Sequence, residues 1–327
     1  MNDLAENLAL NKKRRPSKSR CFDSINAKAP RAKKHLGQHF LMDEAILDRL
    51  AASLPSAMEL DLASRKIQLV EVGIGLGDLT KRLACKYPLI AYEIDKRLID
   101  LVSSRLRGFI DSKNLSLVEA DVLAMPSLGF EGNNDAPCSP SKQAARKGYL
   151  LDREYFLVSN LPYYAATHIL LEALGDGLCS GFLVMTQKEV AKKFCAKVGE
   201  KEYCSLSIKS EILGRIEYLF DVPPSSFSPA PKVDSAVFRF ERSSGAAMPL
   251  SAYDREVLDS LLRQAFSAPR KKLLSNLARW DRLDKEGARE VFARLNLEEN
   301  LRPHEISSKA YCDMASCIAT LIYKDNA

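Results

Sequence analysis

One short motif, Asn160–Tyr163 with the sequence NLPY, carries residue types that suit chemistry on an amino group of a nucleobase. The exocyclic amine of adenine is a poor nucleophile, because its lone pair is delocalised into the ring. The side-chain oxygen of Asn160 and the carbonyl of Leu161 could accept its two N–H groups and favour a tetrahedral nitrogen. Pro162 fixes the turn, and Tyr163 offers a ring on which a base can stack. The motif predicts catalysis by alignment and electrostatics without a strong general base, although alone it could be a simple proline turn.

A glycine-rich segment, Glu71–Gly77 (EVGIGLG), stands between a predicted strand and a predicted helix. Gly73, Gly75 and Gly77 allow the backbone to turn tightly and to approach a ligand. The dinucleotide fingerprint GxGxxG would need glycine or alanine where Asp78 stands, so a dinucleotide is disfavoured. The pattern instead predicts S-adenosylmethionine, a ligand with a nucleoside end and an amino-acid end but no pyrophosphate.

Two acidic residues, Glu93 and Asp121, end the next two predicted strands. The carboxylate of Glu93 can accept hydrogen bonds from both ribose hydroxyls of the cofactor, and that of Asp121 can accept one from the adenine amino group. Each acid alone could equally cap the helix that follows its strand. Ligands of open α/β sheets bind at the carboxyl ends of the strands, so the order of these acids beside the glycine-rich segment favours a cofactor site.

The elements that must position these residues form an alternating series. Apolar runs alternate with amphipathic segments, which predicts an α/β fold with a doubly wound, mostly parallel sheet. Arg215–Phe220 and Ala236–Arg242 alternate with a period of two residues and predict an antiparallel hairpin at the sheet edge. The parallel strands are predicted at Ile67–Gly73, Leu89–Ile94, Leu115–Asp121, Tyr155–Leu161 and Gly181–Met185, and the helices at Asp78–Tyr87, Lys96–Phe109, Ala165–Leu174 and from Gln187 onward.

The remaining segments predict the domain organisation. Residues 1–34 lack apolar periodicity and predict a basic disordered tail, and residues 35–242 form the predicted catalytic domain. Residues 129–150 are rich in Gly, Pro, Ser and Asn and predict a loop insertion. Residues 243–327 predict a small, all-helical RNA-binding domain. Its helices are predicted at Tyr253–Phe266, Arg270–Trp280, Lys285–Leu295 and Glu305–Tyr323.

Charge is unevenly distributed along the chain. The 327 residues carry a net charge of +6, yet residues 1–35 contain ten bases and three acids, a net +7. Such an arm suits a polyanion such as nucleic acid, although it could also be a solvated tail. No stretch approaches the ~20 apolar residues of a membrane span, and no apolar leader is evident, so we expect a cytoplasmic protein with no membrane partner. The eight cysteines lack zinc-type spacing, which predicts reduced thiols and no metal site.

From about Lys34 to its C-terminus, the chain resembles the ribosomal RNA adenine N6,N6-dimethyltransferases. The resemblance rests on KKHLGQHFL (33–41), VEVGIGLGDLT (70–80), YEID (92–95), EADVL (119–123), SNLPYYAATHIL (159–170) and VPPSSFSPAPKVDSAVFRF (222–240). It implies a class I S-adenosylmethionine-dependent methyltransferase fold and a small-subunit (16S) rRNA substrate within an assembling 30S particle. Two adjacent adenosines of the 3′-terminal hairpin loop would each receive two methyl groups, and we expect the enzyme to be a monomer. The resemblance implies cofactor contacts at His39, Leu41, Gly73, Glu93, Asp121 and Asn160.

Further candidates for substrate binding lie downstream. Phe227, in the proline-rich segment, could be a second aromatic face for the target adenine or a core anchor of its loop. Arg270, Lys271 and Lys272 form a basic cluster, which could contact RNA phosphates or be a solvated helix face. Both interpretations of each candidate are open on the sequence.

Two rival functions share these motifs or this fold. One is an antibiotic-resistance methyltransferase that acts on large-subunit rRNA, and the other is a non-catalytic nucleic-acid-binding factor. The proline-rich segment 222–237 and the length of the C-terminal helical region favour the small-subunit enzyme over the first rival. Every predicted cofactor position carries a suitable residue, which argues against the second.

Overall fold

The computed structural model describes residues 30, 32–33, 37–55, 61, 64, 66–125, 148–243 and 252–324. Apart from residues 30 and 32–33, the predicted tail 1–34 lies outside the described residues. Most of the predicted insertion 129–150 does as well. The described residues from Ala32 onward form one compact unit. Within the described ranges, no helix has the length and apolar character that a membrane crossing requires.

The described residues form nine strands: β1 (Phe40–Leu41), β2 (Gln68–Val72), β3 (Leu89–Glu93), β4 (Leu115–Glu119), β5 (Tyr155–Asn160), β6 (Cys179–Gln187), β7 (Gly214–Val222), β8 (Phe227–Ser228) and β9 (Ser235–Arg242). Seven of them build one mixed sheet in the order β4-β3-β2-β5-β6-β9-β7. Strands β2 to β6 pair in parallel, and β9 pairs antiparallel with both β6 and β7. This topology confirms the predicted doubly wound α/β fold and the predicted edge hairpin. β1 and β8 form a separate antiparallel pair.

Helices alternate with the strands and then continue alone to the C-terminus. In the sheet region they are α1 (Glu44–Ala52), α2 (Asp78–Ala84), α3 (Lys96–Arg105), α4 (Arg107–Asp111), α5 (Ala166–Gly175), α6 (Lys188–Cys195) and α7 (Ser205–Leu213). In the C-terminal region they are α8 (Ala252–Ala265), α9 (Leu273–Leu277), α10 (Lys285–Arg294) and α11 (Ser308–Lys324).

Apolar side chains cover both faces of the central strands. Leu69 and Val70 are neighbours in β2 and both fully buried, yet they belong to different hydrophobic clusters because successive strand residues point to opposite faces. The same holds for Phe156 and Leu157 in β5. Burial on both faces explains why these parallel strands appear in the sequence as continuous apolar runs.

The C-terminal helices have a hydrophobic core of their own that also reaches into the sheet region. Leu261 and Tyr311 are fully buried in this cluster. Ala196, Tyr203 and Ile208, which lie between the end of α6 and the middle of α7, belong to the same cluster. The C-terminal helices therefore share their core with the segment that follows β6, and the domain boundaries at 34/35 and 242/243 stay predictions.

Two predicted helices differ from the structure. The predicted helix Lys96–Phe109 is broken at Leu106, where the backbone adopts φ −113° and ψ 22° and separates α3 from α4. The side chain of Leu106 nevertheless stays buried. The predicted helix Arg270–Trp280 is helical only over α9. In both cases the spacing of apolar residues predicts which side chains are buried. Burial continues beyond the residue at which the helical hydrogen bonds end, so the predicted helices are too long.

Candidate active site

An open cavity lies at the carboxyl ends of β2, β3, β4 and β5. This is the edge at which ligands bind in open α/β sheets. Residues from four strand ends and from the chain around β1 meet there. Ten of the predicted site residues line the cavity: His39, Leu41, Gly73, Gly75, Glu93, Asp121, Asn160, Leu161, Pro162 and Tyr163.

The glycine-rich segment forms a tight turn between β2 and α2. Gly73 and Gly77 have φ values of 79° and 85°, in the left-handed region that favours glycine. A Cβ atom at Gly77 would lie 2.9 Å from Cγ2 of Val102, so the packing of α3 also requires glycine here. A Cβ atom at Gly73 would lie 3.5 Å from Cδ of Pro162, which shows that the turn passes directly beside the NLPY motif.

Glu93 ends β3 as a buried acceptor. Its side chain is 6% exposed, and its Oε1 atom accepts hydrogen bonds from the backbone N–H groups of Ile94 at 3.0 Å and Asp95 at 2.9 Å. Burial raises the pKa of Glu93 above its ordinary value, while these backbone donors oppose the rise. The arrangement holds a carboxylate in a fixed orientation at the cavity, as binding of two ribose hydroxyls requires.

Asp121 has the capping role that the sequence allows, and it also lies at the cavity. It is exposed at the cavity, two residues after β4. Its Oδ1 atom accepts a hydrogen bond of 2.9 Å from the backbone N–H of Leu123 and so caps the short 3-10 turn Val122–Ala124. A carboxylate has about four acceptor sites, so this cap is compatible with a ligand contact.

The NLPY motif connects β5 to α5. The N–H of Leu161 donates to the carbonyl of Met185 at 3.0 Å, which extends the pairing with β6 to the last residue before the proline. The carbonyl of Pro162 accepts hydrogen bonds of 3.0 Å from Ala165 and Ala166, and α5 begins there. The motif is therefore fixed at both ends by backbone hydrogen bonds, and its side chains face the cavity at the strand-to-helix turn.

Tyr163 is held from two sides. Its ring stacks on the imidazole of His39, with the ring centroids 5.5 Å apart and an interplanar angle of 27°. Its hydroxyl shares a short hydrogen bond with the hydroxyl of Ser235, the first residue of β9. Because β9 runs antiparallel to β6, its first residue lies at the same edge as the ends of the parallel strands. The sequence motifs gave no sign of the Ser235 contact.

The N-terminal segment, which we define as Gly37–Leu41, closes one side of the cavity. The Nδ1 atom of His39 lies 2.7 Å from the carbonyl oxygen of Pro229. Leu41 pairs with Phe227 across the β1–β8 ladder. The implied cofactor contacts at His39 and Leu41 are thus brought to the site by pairing with a segment far along the chain.

Phe227 does not line the cavity. Its side chain is 5% exposed and packs in the same hydrophobic cluster as Leu41. The proposed role as a second aromatic face for adenine is therefore corrected: Phe227 is a core anchor, because the strand pairing of β8 turns its ring inward. Sequence alone could not decide between the two roles.

The basic residues Arg270, Lys271 and Lys272 also lie away from the cavity lining. All three are exposed. They precede α9 instead of lying within a helix, and Lys272 is the N-cap residue of α9. The alternative of a solvated helix face therefore does not apply, and a contact with RNA phosphates stays a prediction.

Glu71 and Tyr164 are among the cavity residues that received no role from the sequence. Tyr164 is 56% exposed at the cavity mouth, next to Gly37. Glu71 is buried in β2, and its Oε2 atom has no hydrogen-bond partner among the described residues. Burial raises the pKa of Glu71 to about 8, the Thr80 hydroxyl opposes the rise, and the charge of Glu93 adds to it. Glu71 stands in the glycine-rich pattern, so its position was a signal for the site.

Replacing Glu71 by glutamine is expected to change how stability depends on pH. The pKa of Glu71 is about 8 in the folded protein, above the ordinary value of 4.5. The stability that its protonated form contributes to the folded state is therefore fully present below pH 4.5 and is lost as the pH rises to about 8. In the unchanged protein this group lowers the free energy of unfolding by up to about 1.4 kcal/mol per pH unit in that window.

Urea unfolding of both proteins from about pH 5 to about pH 8 measures this effect. Because glutamine does not titrate, the Glu71→Gln variant should gain stability relative to the unchanged protein as the pH rises. Parallel pH profiles would contradict the raised pKa.

Comparisons with known proteins identify the family. The model of the ribosomal RNA adenine dimethylase family matches residues 29–320. Ribosomal RNA small subunit methyltransferase A of Helicobacter hepaticus is 41% identical over 281 residues, which cover 86% of this chain and 89% of that protein. The protein of the same name from Campylobacter hominis is 38% identical over 277 residues, 84% of this chain and 92% of that protein. The chain belongs to the ribosomal RNA adenine dimethylase family.

Solved structures agree with this family at the level of the fold. The 23S rRNA methyltransferase ErmE superposes with a TM-score of 0.60 at 22% identity, covering 85% of this chain and 99% of that one. A dimethyladenosine transferase from Plasmodium falciparum gives a TM-score of 0.63 at 21% identity, covering 84% and 96%. The predicted class I methyltransferase fold is therefore confirmed.

As a member of the ribosomal RNA adenine dimethylase family, the protein is a methyltransferase whose cofactor is S-adenosylmethionine. The cavity fits this cofactor chemically. Glu93 places a buried acceptor and Asp121 an exposed acceptor at the cavity, as a ligand with ribose hydroxyls and an adenine amino group requires. The glycine turn leaves backbone accessible where side chains would crowd a ligand. The contacts of individual residues stay predictions.

Proposed function

We propose that the protein methylates N6 of two adjacent adenosines in the 3′-terminal hairpin loop of 16S rRNA, adding two methyl groups to each during small-subunit maturation. The observation that carries the proposal is the meeting of Glu93, Asp121 and the NLPY motif in one cavity. The choice of small-subunit rRNA is supported by the identity with the small-subunit methyltransferases of Helicobacter hepaticus and Campylobacter hominis. The similarity to ErmE, at 22% identity, concerns the fold alone.

In this proposal the carboxylates hold the cofactor. Glu93 accepts the two ribose hydroxyls, and Asp121 accepts the adenine amino group. Gly73 and Gly75 let the backbone approach the amino-acid end, while His39 and Leu41 contact the cofactor from the N-terminal segment. When bound, the cofactor supplies an electrophilic methyl group on a sulfonium.

The NLPY motif presents the target amine. The side-chain oxygen of Asn160 and the carbonyl of Leu161 accept the two N–H groups, and this draws the lone pair of the nitrogen out of the adenine ring. Tyr163 stacks on the base, an interaction typically worth about 1–3 kcal/mol. The amine becomes acidic as it gains the methyl group, so its proton leaves to solvent without a strong general base. The contribution of the protein is alignment and electrostatic stabilisation.

Methyl transfer from labelled cofactor to isolated ribosomal subunits tests the proposed substrate. We expect label on small subunits and none on large subunits, with dimethyladenosine mapping to the 3′-terminal hairpin loop. Small-subunit rRNA from cells that lack the gene should be unmodified there. Labelling of large subunits instead would favour the resistance-type activity, and labelling of neither would favour a non-catalytic binding factor.

The proposal extends to the state in which the enzyme works. We infer that it acts as a monomer in the cytoplasm, on an assembling 30S particle. Labelling of particles isolated at successive stages of assembly, compared with mature small subunits, identifies the accepted state. Sedimentation of the enzyme at working concentration tests the monomer.

Replacing Lys271 and Lys272 by glutamine is expected to weaken RNA binding and to flatten its salt dependence. Each contact with a phosphate that is lost reduces the slope of log K against log salt by roughly 0.7–0.9. A matched control replaces Lys86 and Lys113, which are also exposed but precede β3 and β4 at the opposite edge of the sheet. Binding to small-subunit RNA at several salt concentrations measures both. Equal slopes of log K against log salt for the two double variants would show that Lys271 and Lys272 do not contact the RNA.

A further inference from the structure

Asp95 is a buried acidic residue close to the cavity, and several hydrogen-bond donors surround its carboxylate. Its side chain is 1% exposed. It accepts hydrogen bonds from Nζ of Lys33 at 3.1 Å, from Nε2 of Gln38 at 3.3 Å and from the guanidinium of Arg97 at 2.7 Å. These donors hold the pKa of Asp95 well below its usual range, with Arg97 as the largest cause. Asp95 is thus a carboxylate at neutral pH.

Two of these donors come from a part of the chain that is distant in sequence. Lys33 is 62 residues away in sequence and Gln38 is 57 residues away. Gln38 belongs to the N-terminal segment and lines the cavity. Its Oε1 atom also accepts the backbone N–H of Lys33 at 2.8 Å, so the two donors are tied to each other. Asp95 therefore fastens the start of the N-terminal segment to the end of β3.

The other end of the N-terminal segment is fastened independently. β1 pairs with β8, and Nδ1 of His39 contacts the carbonyl of Pro229. His39 and Leu41, which are implied to contact the cofactor, lie at this second attachment. Without the bonds to Asp95, the segment would be held at the β1 end only.

Asp95 also supports the other wall of the cavity. Its backbone N–H donates to Oε1 of Glu93 at 2.9 Å. One residue thus positions both the carboxylate of Glu93, through the main chain, and the N-terminal segment, through the side chain. These two walls face the same space.

A simple helix cap does not account for this arrangement. Asp95 does cap α3 through its bond with the N–H of Arg97 at 3.2 Å. Asp284 caps α10 in the same manner, through the N–H of Gly287 at 2.7 Å, but Asp284 is exposed. Capping alone requires neither burial nor donors from a distant segment.

We propose that Asp95 is a positioning residue that fastens the N-terminal segment over the cofactor cavity and thereby sets the affinity for S-adenosylmethionine. It does so without touching the reacting atoms. The inference rests on the proposed assignment of this cavity to the cofactor. Charge-assisted hydrogen bonds in a buried setting are strong enough for this role.

The test uses the full-length Asp95→Asn variant, which keeps a capping oxygen for α3 and removes the negative charge. Calorimetry with S-adenosylhomocysteine should show affinity about tenfold weaker than in the unchanged protein. The rate of a single turnover at saturating cofactor should stay near that of the unchanged protein, because Asn160 is unaffected. Asp284→Asn is the matched control and should leave affinity unchanged.

A double-mutant cycle with Gln38→Ala separates the fastening from a general loss of structure. Gln38→Ala alone should weaken cofactor affinity, and in the Asp95→Asn background it should add little, because the bond is already weakened. Trypsin should cut after Lys33 faster in Asp95→Asn than in the unchanged protein when the cofactor product is bound. If Asp95→Asn does not fold, Gln38→Ala alone carries the affinity test.

Unchanged affinity in either folded variant, or fully additive effects, overturns the proposal. Glu93→Ala distinguishes this failure from a failure of the cavity assignment. If Glu93→Ala weakens cofactor binding while Asp95→Asn does not alter it, the cavity is the cofactor site and the fastening is wrong. If neither variant changes cofactor binding, both the fastening and the cavity assignment are wrong.

Discussion

Asn160→Ala is expected to slow methyl transfer by about a hundred- to a thousandfold, equivalent to roughly 2.7–4 kcal/mol. The side-chain oxygen of Asn160 is proposed to accept a hydrogen bond from the target amine. That bond strengthens as the nitrogen becomes tetrahedral, so its loss affects the transition state more than the bound substrate. RNA affinity should change much less, because phosphate contacts elsewhere on the protein dominate it.

Asn160→Asp sharpens this expectation. Aspartate keeps an acceptor but places a negative charge beside the sulfonium of the bound cofactor. The charge stabilises the ground state, and the sulfonium loses its own charge on transfer, so chemistry should be slower while cofactor binding is retained. The two variants together separate the need for an acceptor from the need for a neutral one.

Single-turnover methylation of small subunits at saturating cofactor isolates the chemical step. Cofactor affinity must be measured separately, because the family resemblance also implies a cofactor contact at Asn160. Asn114→Ala provides a control, since Asn114 directly precedes β4 at the opposite edge of the sheet. A rate near that of the unchanged protein for Asn160→Ala would leave the Leu161 carbonyl and Tyr163 as the groups that hold the amine.

Glu93→Ala is expected to weaken cofactor binding by about ten- to a hundredfold, since a lost hydrogen bond to a charged group costs roughly 1.5–3 kcal/mol. The reason is that both ribose hydroxyls lose their acceptor. Glu119→Ala is a matched control: Glu119 ends β4 and lies opposite Glu93 in the ladder, but it does not line the cavity. Calorimetry with S-adenosylhomocysteine measures both variants, and equal affinities in folded proteins would refute the ribose assignment.

The same residue predicts a pH dependence. Burial raises the pKa of Glu93, so the carboxylate is protonated at a higher pH than an ordinary glutamate. Cofactor affinity should therefore fall as the pH falls through this raised pKa, because protonation removes the negative charge and turns one of the two acceptor oxygens into a donor. Glu93→Gln should flatten that part of the profile.

The central sheet could be predicted because its central strands β2, β5 and β6 are buried on both faces. Tyr155–Asn160 and the other parallel strands appear as apolar runs separated by helical spacing, and each begins and ends within a few residues of its predicted bounds. The two-residue strands β1 and β8 carry no such signal, because their pairing depends on a partner far along the chain. The helix α7 was not predicted as a separate element, since the buried polar residues Ser207 and Ser210 interrupt its apolar face.

Cavity residues could be predicted where a single sequence motif contains both the functional residue and the strand end that positions it. The glycine turn, the acid Glu93 at a strand end and the NLPY motif are of this kind, because carboxyl ends of parallel strands converge. Asp95 and Ser235 form hydrogen bonds with residues more than fifty positions away in the sequence. The spacing of residues within a motif cannot predict such hydrogen bonds. For Phe227 the sequence left stacking and a core position open, because the burial of its ring depends on strand pairing with Leu41 far along the chain.

The pairing of β1 with β8 also has a consequence for synthesis of the protein. His39 and Pro229 are 190 residues apart. At about 5–20 residues per second, the ribosome needs roughly 10–40 s to make the second strand after the first. The parallel strands β2 to β5 can pair during that interval, while the N-terminal segment is held at its Asp95 end only. A nascent chain shorter than 227 residues therefore lacks the second attachment of this wall, and we expect cofactor affinity to reach its full value only after β8 has been made.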